Sequence, residues 1–308
     1  MKKSIAVLLA IISLASLSAC GTFVFQENAG TAHASAIAVT DMAGREITLE
    51  KPAARIVAIM PADVEILYAI GAGDLLVGRG IYCDYPEAAL NVLSVESGDS
   101  LNVEQVMALL PDVVLISQMN HGNEQVRALE STGVKVIVNN ASDIAGVYAS
   151  IGIIGAVTGR EAQAKELVDS MKQSFAEMES KSYEAHGKTV YFEVSPLEHG
   201  LWTAGKNTFM DELAAMLGLR NAFDDVDGWA EISEEQIIQR DPDYIVTITM
   251  YFGDGPEPAD EILARSGWEN ITAVKNGAVF VIGNDEVARP GPRLVNAAEA
   301  LYEYTRVT

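Results

Sequence analysis

Histidine and cysteine are scarce in this sequence of 308 residues, which has four His and two Cys. Zinc and manganese sites bring several ligands together at short, paired spacings. The histidines show no such pairing, at His33, His121, His186 and His199. The sequence therefore predicts no bound metal of the protein's own.

Basic residues are also few, with 21 Lys and Arg against 43 Asp and Glu and a net charge of −22. Nucleic-acid phosphates reward clustered Lys and Arg. This balance excludes nucleic acid as a partner. It is compatible with an exported protein but identifies no ligand.

Catalytic motifs are absent as well. The sequence contains neither a Gly-x-Ser-x-Gly elbow nor a Walker loop. Gly71 and Gly73 lack the third glycine of the dinucleotide fingerprint. The segment 224–228 resembles a calcium loop, but Val226 stands where an oxygen ligand belongs. The sequence therefore predicts a protein that is not an enzyme.

The N-terminus has the form of a secretory signal. Two lysines precede an apolar stretch from Ile5 to Leu17, too short to span a bilayer comfortably. Leu17-Ser18-Ala19-Cys20 follows and resembles a bacterial lipobox, with ordinary cleavage beside an incidental cysteine as the alternative. We expect a signal peptide over 1–19, lipidation of Cys20 and a tether over 20–36, which would hold the exported protein at the outer face of the cytoplasmic membrane. Cys83 then has no disulfide partner and is expected to be a small packed residue.

One phrase occurs twice. In 101–115 and again in 232–246, Glu-Gln is followed by two apolar residues, three spacers, Pro-Asp and an apolar run. Each copy predicts a short helix stopped before proline and then a buried strand. Upstream, 65–71 resembles 212–218, again a helix that stops at glycine. Two matches in the same order predict two similar lobes.

Strands and helices alternate on both sides of a different central segment. Continuous apolar strands, expected at 55–60, 75–79, 113–117, 134–139, 190–194, 244–249 and 279–282, alternate with helical patterns. This alternation predicts an α/β fold with parallel sheets covered on both faces. We place an N-terminal lobe at 37–141 and a C-terminal lobe at 187–308. Between them, 142–186 has helical apolar spacing with a break at Gly159, which predicts one stiff linking helix and limited lobe motion.

Two further phrases complete a family resemblance: Tyr82-Cys83-Asp84-Tyr85-Pro86 and Ala288-Arg289-Pro290-Gly291-Pro292-Arg293. With the repeat and the linking segment, they resemble the substrate-binding lipoproteins of ABC importers for cobalamin, ferric siderophores and haem. The resemblance covers about 38–305. It implies two Rossmann-like lobes joined by a single long helix, of the class III periplasmic binding protein type. It also implies a metal-chelate ligand between the lobes, and a permease with its ATPase as partners.

The resemblance assigns the repeated glutamates, Glu104 and Glu235, to permease docking. One carboxylate on each lobe would orient a pseudo-twofold protein on a twofold partner, and such charges set register and association rate more than affinity. The alternative is that both are solvated first-turn residues favoured by the helix dipole.

The residues that the resemblance places at the ligand are Tyr82, Trp202, Trp229, Asp285 and Arg289. Broad aromatic faces suit a flat macrocycle. Arg289, stiffened by Pro290, could meet a propionate, a catecholate or a phosphate. The alternative for Tyr82 and both tryptophans is that they only anchor loops.

The ligand itself stays open. Two aromatic positions of the cobalamin pattern are non-aromatic here, near Gly98 and Ser117, while Met119 and His121 are residue types that ligate haem iron. We expect cobalamin first, then a ferric siderophore, then haem. The alternative from another class is an exported α/β hydrolase that uses Asp84 and Asp285.

Overall fold

The computed structural model of this protein describes residues 36–98, 100–117, 123–181, 187–248 and 255–307. The predicted signal peptide, Cys20, nearly all of the tether, Met119 and His121 lie outside the described residues.

The N-terminal lobe is built on a parallel sheet. Its elements in chain order are β1 (Ile37–Thr40), β2 (Glu46–Leu49), β3 (Ile56–Ala58), α1 (Pro61–Ala69), β4 (Leu76–Gly80), β5 (Ser94–Val95), α2 (Val103–Ala108), β6 (Val113–Ile116), α3 (Asn123–Glu130) and β7 (Lys135–Val138). The strand order is β5-β4-β3-β6-β7, and every pairing is parallel. β3 and β6 are buried throughout, as strands covered on both faces must be.

A hairpin of β1 and β2, which the sequence pattern did not predict, packs beside this sheet. Asp41 fixes its turn by accepting the backbone N–H groups of Ala43 and Arg45. The other carboxylate oxygen of Asp41 accepts the N–H of Val138 at 3.0 Å, which ties the hairpin to β7.

The segment between the lobes is two helices, α4 (Ile144–Thr158) and α5 (Glu161–Lys181). Gly159 ends α4 in the left-handed conformation, with φ of 67°. The two helices pack closely, because a Cβ on Gly155 would lie 2.4 Å from the Cβ of Ala164. α4 contacts α1 and β1 of the first lobe. The prediction of one linking helix over 142–186 therefore needs a correction: α4 belongs to the N-terminal lobe, and α5 alone makes the long crossing.

The C-terminal lobe has a mixed sheet. Its elements are β8 (Thr189–Glu193), β9 (Trp202–Ala204), α6 (Phe209–Met216), β10 (Arg220–Asn221), β11 (Trp229–Glu231), α7 (Glu234–Arg240), β12 (Tyr244–Thr247), α8 (Pro258–Leu263), α9 (Thr272–Lys275), β13 (Val279–Val281), α10 (Asn284–Val287) and α11 (Leu294–Val307). The order is β11-β9-β8-β12-β13, with β10 also beside β8. β8, β10, β12 and β13 pair in parallel, as predicted, and β9 adds antiparallel pairings with β8 and β11 at one edge.

One apolar cluster continues from lobe to lobe. It includes Ile66 of α1, Ile154 of α4, Phe175 of α5, Leu213 of α6 and Leu301 of α11. α5 contacts both α6 and α11. A shared core of this kind opposes relative motion, because parting the lobes would expose buried apolar surface to water.

No helix within the described stretches is both long enough and apolar enough to cross a membrane.

Candidate functional site

A cavity of about 730 Å³ lies between the lobes, and the first lobe gives it a wall at the carboxyl edge of its sheet. Each of the five parallel strands is followed within a few residues by a side chain that lines the cavity: Met60, Tyr82, Ser97, Ser117 and Asn139. Ligands of open α/β sheets bind at this edge, because parallel strands all end there. The sequence pattern predicted four of these strands, all but β5, and of these five side chains it assigned only Tyr82 to the ligand.

The second lobe supplies the opposite wall through Phe209, Trp229, Asn284, Asp285 and Arg289. Four of these residues lie at the start of α6, β11 or α10, where the chain emerges from the lobe. The volume is in the range of cavities that bury one medium-sized organic ligand. The structure thus brings Trp229, Asp285 and Arg289 of the predicted site to the same cavity as Tyr82 of the other lobe.

Trp229 is half-buried against Phe209, with ring centroids 5.5 Å apart and planes inclined by 58°. It begins strand β11 and is paired with Ala204. A strand residue packed on a second ring has little rotational freedom left. Trp229 therefore offers a rigid aromatic surface to a ligand.

Trp202 does not line the cavity, in contrast to the prediction. β9 and β11 are antiparallel, and Trp202 pairs with Glu231 at the end of the ladder away from Trp229. Its side chain is 39% exposed on the surface. Antiparallel pairing places the first residues of two neighbouring strands at opposite ends of the ladder, so Trp202 and Trp229 lie apart.

Tyr82 lies at the rim of the cavity and is 64% exposed. A Cβ placed on Gly98 would lie 3.8 Å from the Tyr82 hydroxyl and 3.3 Å from Ile81. The space above Gly98 is thus already filled by these neighbours. The missing aromatic side chain at this position is consistent with that packing.

Arg289 is held by carboxylates from both lobes. Its guanidinium lies 2.7 Å from an oxygen of Asp285, 2.8 Å from Asp84 and 3.3 Å from Glu65. A further N–H donates to the carbonyl of Tyr82 at 3.4 Å. Only 13% of the side chain is exposed. The expectation that Arg289 meets an anionic ligand group is not supported, because its charge is already balanced within the protein.

The acids around Arg289 outnumber the cations. Arg293 forms two hydrogen bonds with Glu65, at 2.9 and 2.7 Å. Burial alone would raise the pKa of Asp84, but the hydrogen bond and charge of Arg289 lower it below its ordinary value. The cluster of Glu65, Asp84, Asp285 and the two arginines therefore carries a net charge of about −1 when all five groups are ionised.

Asp63 and Asn139, which the sequence pattern did not identify, meet on the wall of the first lobe. The side-chain amide of Asn139 donates to Asp63 at 2.8 Å. Burial raises the pKa of Asp63 to about 7, although this hydrogen bond acts to lower it. Asn139 could have been identified from its position in the sequence, because it directly follows a strand.

Glu104 and Glu235 occupy equivalent places on the two lobes. Each is the second residue of its helix, after the N-caps Asn102 and Ser233. Both side chains are exposed. Hydrogen bonds from its own backbone N–H and from Ser233 lower the pKa of Glu235. This geometry fits docking and also fits the alternative of solvated first-turn carboxylates.

Cys83 is fully buried, which confirms the prediction of a small packed residue. Burial is the main cause that raises the pKa of its thiol to about 12, so the thiolate form is suppressed. Within the described residues, no group of three or more His, Cys, Asp and Glu side chains is arranged to hold a metal ion.

Comparison with known proteins places the fold and the cavity in context. The model of a family described as periplasmic binding protein matches residues 56–286. The chain is 36% identical over 274 residues to the uncharacterized ABC transporter substrate-binding lipoprotein YvrC of Bacillus subtilis, covering 87% of this chain and 84% of that protein. It is 25% identical over 248 residues to the vitamin B12-binding protein of Photorhabdus laumondii, covering 80% and 86%.

Solved structures share the architecture. A possible iron-binding (periplasmic solute-binding) protein of Staphylococcus epidermidis superposes with a TM-score of 0.72 at 33% identity, over 82% of this chain and 99% of that one. The periplasmic vitamin B12 binding protein of Vibrio cholerae gives 0.70 at 22% identity, over 83% and 98%, which indicates the fold alone.

Proposed function

Because the chain belongs to the periplasmic binding protein family, we propose that it is the substrate-binding subunit of an ABC importer and that it captures cobalamin or a similar metal macrocycle without net charge. The family and the relatives above are binding proteins. The chain is accordingly a binding protein and not an enzyme, and the hydrolase alternative has no support.

The choice of ligand rests on one observation, that the charge of Arg289 is balanced by carboxylates of the protein. Among the described residues that line the cavity, Arg289 is the single cation, and three carboxylates surround it. Haem brings two propionates, and ferric catecholates carry several negative charges. Proteins bind such groups with arginine or lysine whose charge is available. Cyanocobalamin has no net charge, because its single phosphodiester is balanced by the cobalt–corrin centre, so it does not require such a partner.

The remaining lining suits a macrocycle that bears amides. Trp229 and Tyr82 offer aromatic surface from opposite lobes. Asn140 and Asn284 add side-chain amides at the cavity wall; the latter is oriented by donating to the carbonyl of Ile248 at 2.9 Å. Such groups exchange hydrogen bonds with ligand amides without a charge requirement. The similarity to the vitamin B12-binding protein of Photorhabdus laumondii supports the same ligand class.

The test is retention of visible absorption. Separate samples of the mature protein are mixed with cyanocobalamin, haemin or a ferric tricatecholate and passed over a gel-filtration column. We expect about one equivalent of cyanocobalamin to co-elute and to be released unchanged in mass. Retention of haemin or the ferric tricatecholate, with cyanocobalamin lost, would overturn the ligand assignment and leave the family membership intact.

The proposed partner surface contains Glu104 and Glu235. Both side chains are exposed, and each follows a cavity-lining residue of its own lobe, Gly98 or Trp229, by six positions in the sequence. We propose that the pair docks on the permease, where two matched charges would set orientation more than affinity.

The proposed location is outside the cytoplasmic membrane, with the lipid on Cys20. The relative from B. subtilis is named a lipoprotein, which supports this anchor. Several acyl chains on one cysteine bury enough CH₂ groups, at roughly 0.8 kcal/mol each, to hold a soluble protein at the membrane.

A further inference from the structure

Asp63 and Asn139 form an isolated polar pair in the wall of the first lobe. Asp63 is the third residue of α1 and Asn139 directly follows β7. Their side chains are joined by one hydrogen bond, from the Asn139 amide nitrogen to Oδ1 of Asp63 at 2.8 Å. The two residues are 2% and 7% exposed, and both line the ligand cavity.

One oxygen of each side chain is left over. Asp63 Oδ2 and Asn139 Oδ1 are buried and have no hydrogen-bond partner within the described part of the chain. Buried polar atoms are nearly always paired, because leaving one unpaired costs its full desolvation. An ionised carboxylate and an amide oxygen only accept hydrogen bonds. Two acceptors cannot form a hydrogen bond with each other unless one of them carries a proton. A proton on Oδ2 would turn that atom into a donor.

We propose that Asp63 is a neutral carboxylic acid whose proton bonds to Asn139, and that this uncharged acid–amide pair determines the cavity's preference for uncharged ligands. The inference rests on the proposed function for its ligand and deepens it. The Asn139 amide nitrogen would donate to Oδ1 of Asp63, and the protonated Oδ2 of Asp63 would donate to Oδ1 of Asn139. A single added proton would thus give both unpaired oxygens a hydrogen-bond partner. The wall of the first lobe then presents no charge to the ligand.

The surroundings of the pair favour the neutral acid. Burial raises the pKa of Asp63 to about 7. Cys83, whose thiol interacts electrostatically with Asp63, stays protonated because its own pKa is about 12. Glu65 of the same helix is paired with Arg293, and Arg289 across the cavity is held by its three carboxylates.

A pH dependence of binding follows. A ligand seated in the cavity would remove remaining water from near Asp63 and so hold its proton more firmly. Each unit by which the complex raises this pKa weakens binding about tenfold once the pH is well above the pKa in both states. Affinity is therefore expected to be highest below about pH 7 and to fall as the pH rises through it.

The chain supplies a matched control. Pro258-Ala259-Asp260 opens α8 in the same way as Pro61-Ala62-Asp63 opens α1, with the aspartate as third helical residue in both. Asp260 is exposed and does not line the cavity. Asp260→Asn removes a carboxyl group from the same helix position without touching the pair, whereas Asp63→Asn gives an amide pair that is neutral at every pH.

The ligand-free test uses infrared spectra and thermal unfolding from about pH 5 to about pH 9. The parent and Asp260→Asn should show the C=O band of a protonated, hydrogen-bonded carboxyl that fades near pH 7, and Asp63→Asn should lack it. Since the folded state holds this proton and the unfolded state releases it near pH 4, the stability from Asp63 falls between about pH 4 and about pH 7. As the pH rises, the Tm of the parent should therefore fall relative to the Tm of Asp63→Asn. No such band in the parent at about pH 5.5 would overturn the neutral acid.

The binding test uses cyanocobalamin and the same variants. The dissociation constants of the parent and Asp260→Asn should rise about tenfold between about pH 6 and about pH 8.5, and that of Asp63→Asn should stay constant. An equal rise in all three would overturn the role of Asp63 in ligand choice. If the infrared band is present but cyanocobalamin binds to none of them, the ligand assignment and the specificity role fail, while the acid–amide pair stands.

Discussion

Leu110 and Asp241 share a left-handed backbone conformation, with φ angles of 49° and 46°, and a proline directly follows each. Residues other than glycine rarely adopt this conformation, which costs roughly 1–2 kcal/mol. Each residue ends the turn after a repeated helix, α2 in one lobe and α7 in the other. Both lobes thus have the same unfavourable conformation at the same position of the repeated motif. This shared feature supports the descent of the two lobes from one duplicated unit.

The aspartates of the repeated Pro-Asp phrase have the same task. Asp112 accepts the backbone N–H groups of Ala54 and Arg55, at 2.8 and 2.9 Å, just before β3. Asp243 accepts the N–H of Thr189, at 2.8 Å, as β8 begins. Each carboxylate thereby fixes the start of the neighbouring parallel strand.

The upstream pair of glutamates joins the lobes. Glu65 of α1 binds Arg293, the residue before α11, and Glu212 of α6 accepts the N–H of Ile144 at the start of α4. Each glutamate thus holds the beginning of a helix that packs in the other half of the molecule. The two equivalent glutamates of the duplicated sequence therefore each link one lobe to the other.

Replacement of Trp229 by alanine should weaken binding of cyanocobalamin about tenfold. An aromatic contact contributes roughly 0.5–1.5 kcal/mol beyond the area it buries, and 1.4 kcal/mol is a factor of ten. Trp202→Ala is the control, because Trp202 lies at the other end of the β9–β11 ladder. Titration by absorbance measures both. Equal affinity of Trp229→Ala and the parent would remove Trp229 from the site.

The double variant Glu104→Ala with Glu235→Ala should lose uptake in whole cells but keep its affinity for cyanocobalamin. Both carboxylates are exposed and neither lines the cavity. Binding to permease vesicles should become weaker and less sensitive to salt, since two charges are removed. The control replaces Glu124 and Glu161, exposed first-turn glutamates of α3 and α5. Normal uptake in the first double variant would refute the docking role.

Asp112→Ala and Asp243→Ala should lower the free energy of unfolding by similar amounts, about 1–3 kcal/mol each, because each leaves the N–H at the start of a strand without its charged acceptor. Denaturant titration measures the loss. Asp74→Ala, an exposed residue after α1, is the control and should stay within about 0.5 kcal/mol of the parent. A large effect at one aspartate and none at the other would contradict their structural equivalence.

The lobes should move little when the ligand binds. Small-angle scattering curves of the mature protein with and without cyanocobalamin should nearly superimpose, because the lobes share an apolar cluster and the Glu65–Arg293 pair. A hinged receptor would instead contract on binding. A fall of several ångströms in the radius of gyration would show that our view of the linking segment is wrong.

Cys20→Ala should release the protein from membranes, or block its maturation, without a change in ligand affinity. The substitution removes the acyl chains and leaves the lobes intact. Fractionation of cells followed by a high-salt wash measures the distribution, with Cys83→Ala as a cysteine variant that keeps the anchor. Continued membrane attachment of Cys20→Ala would refute lipidation at this residue.

Much of the fold could be predicted because its signals are local. Proline after the repeated helices, Gly159 after α4 and the continuous apolar strands all act on residues close by in the chain. The hairpin of β1 and β2 was missed although its side chains alternate in burial, because each strand has only four residues and the turn is stabilised by Asp41. β9 and β11 were missed because three-residue strands carry too few side chains to show a period.

The sequence by itself determined the repeated motif, the α/β lobes and the family, and four of the five residues it predicted at the ligand line the cavity. Short phrases suffice for these, because helix ends, strand ends and turns depend on a few neighbouring residues. Tertiary structure alone decided that Trp202 faces away, that Arg289 is neutralised and that Asp63 meets Asn139. These outcomes depend on pairing direction and on partners as distant as Glu65 and Arg289. Charge balance and burial are sums over everything nearby in space, so only the folded chain defines them.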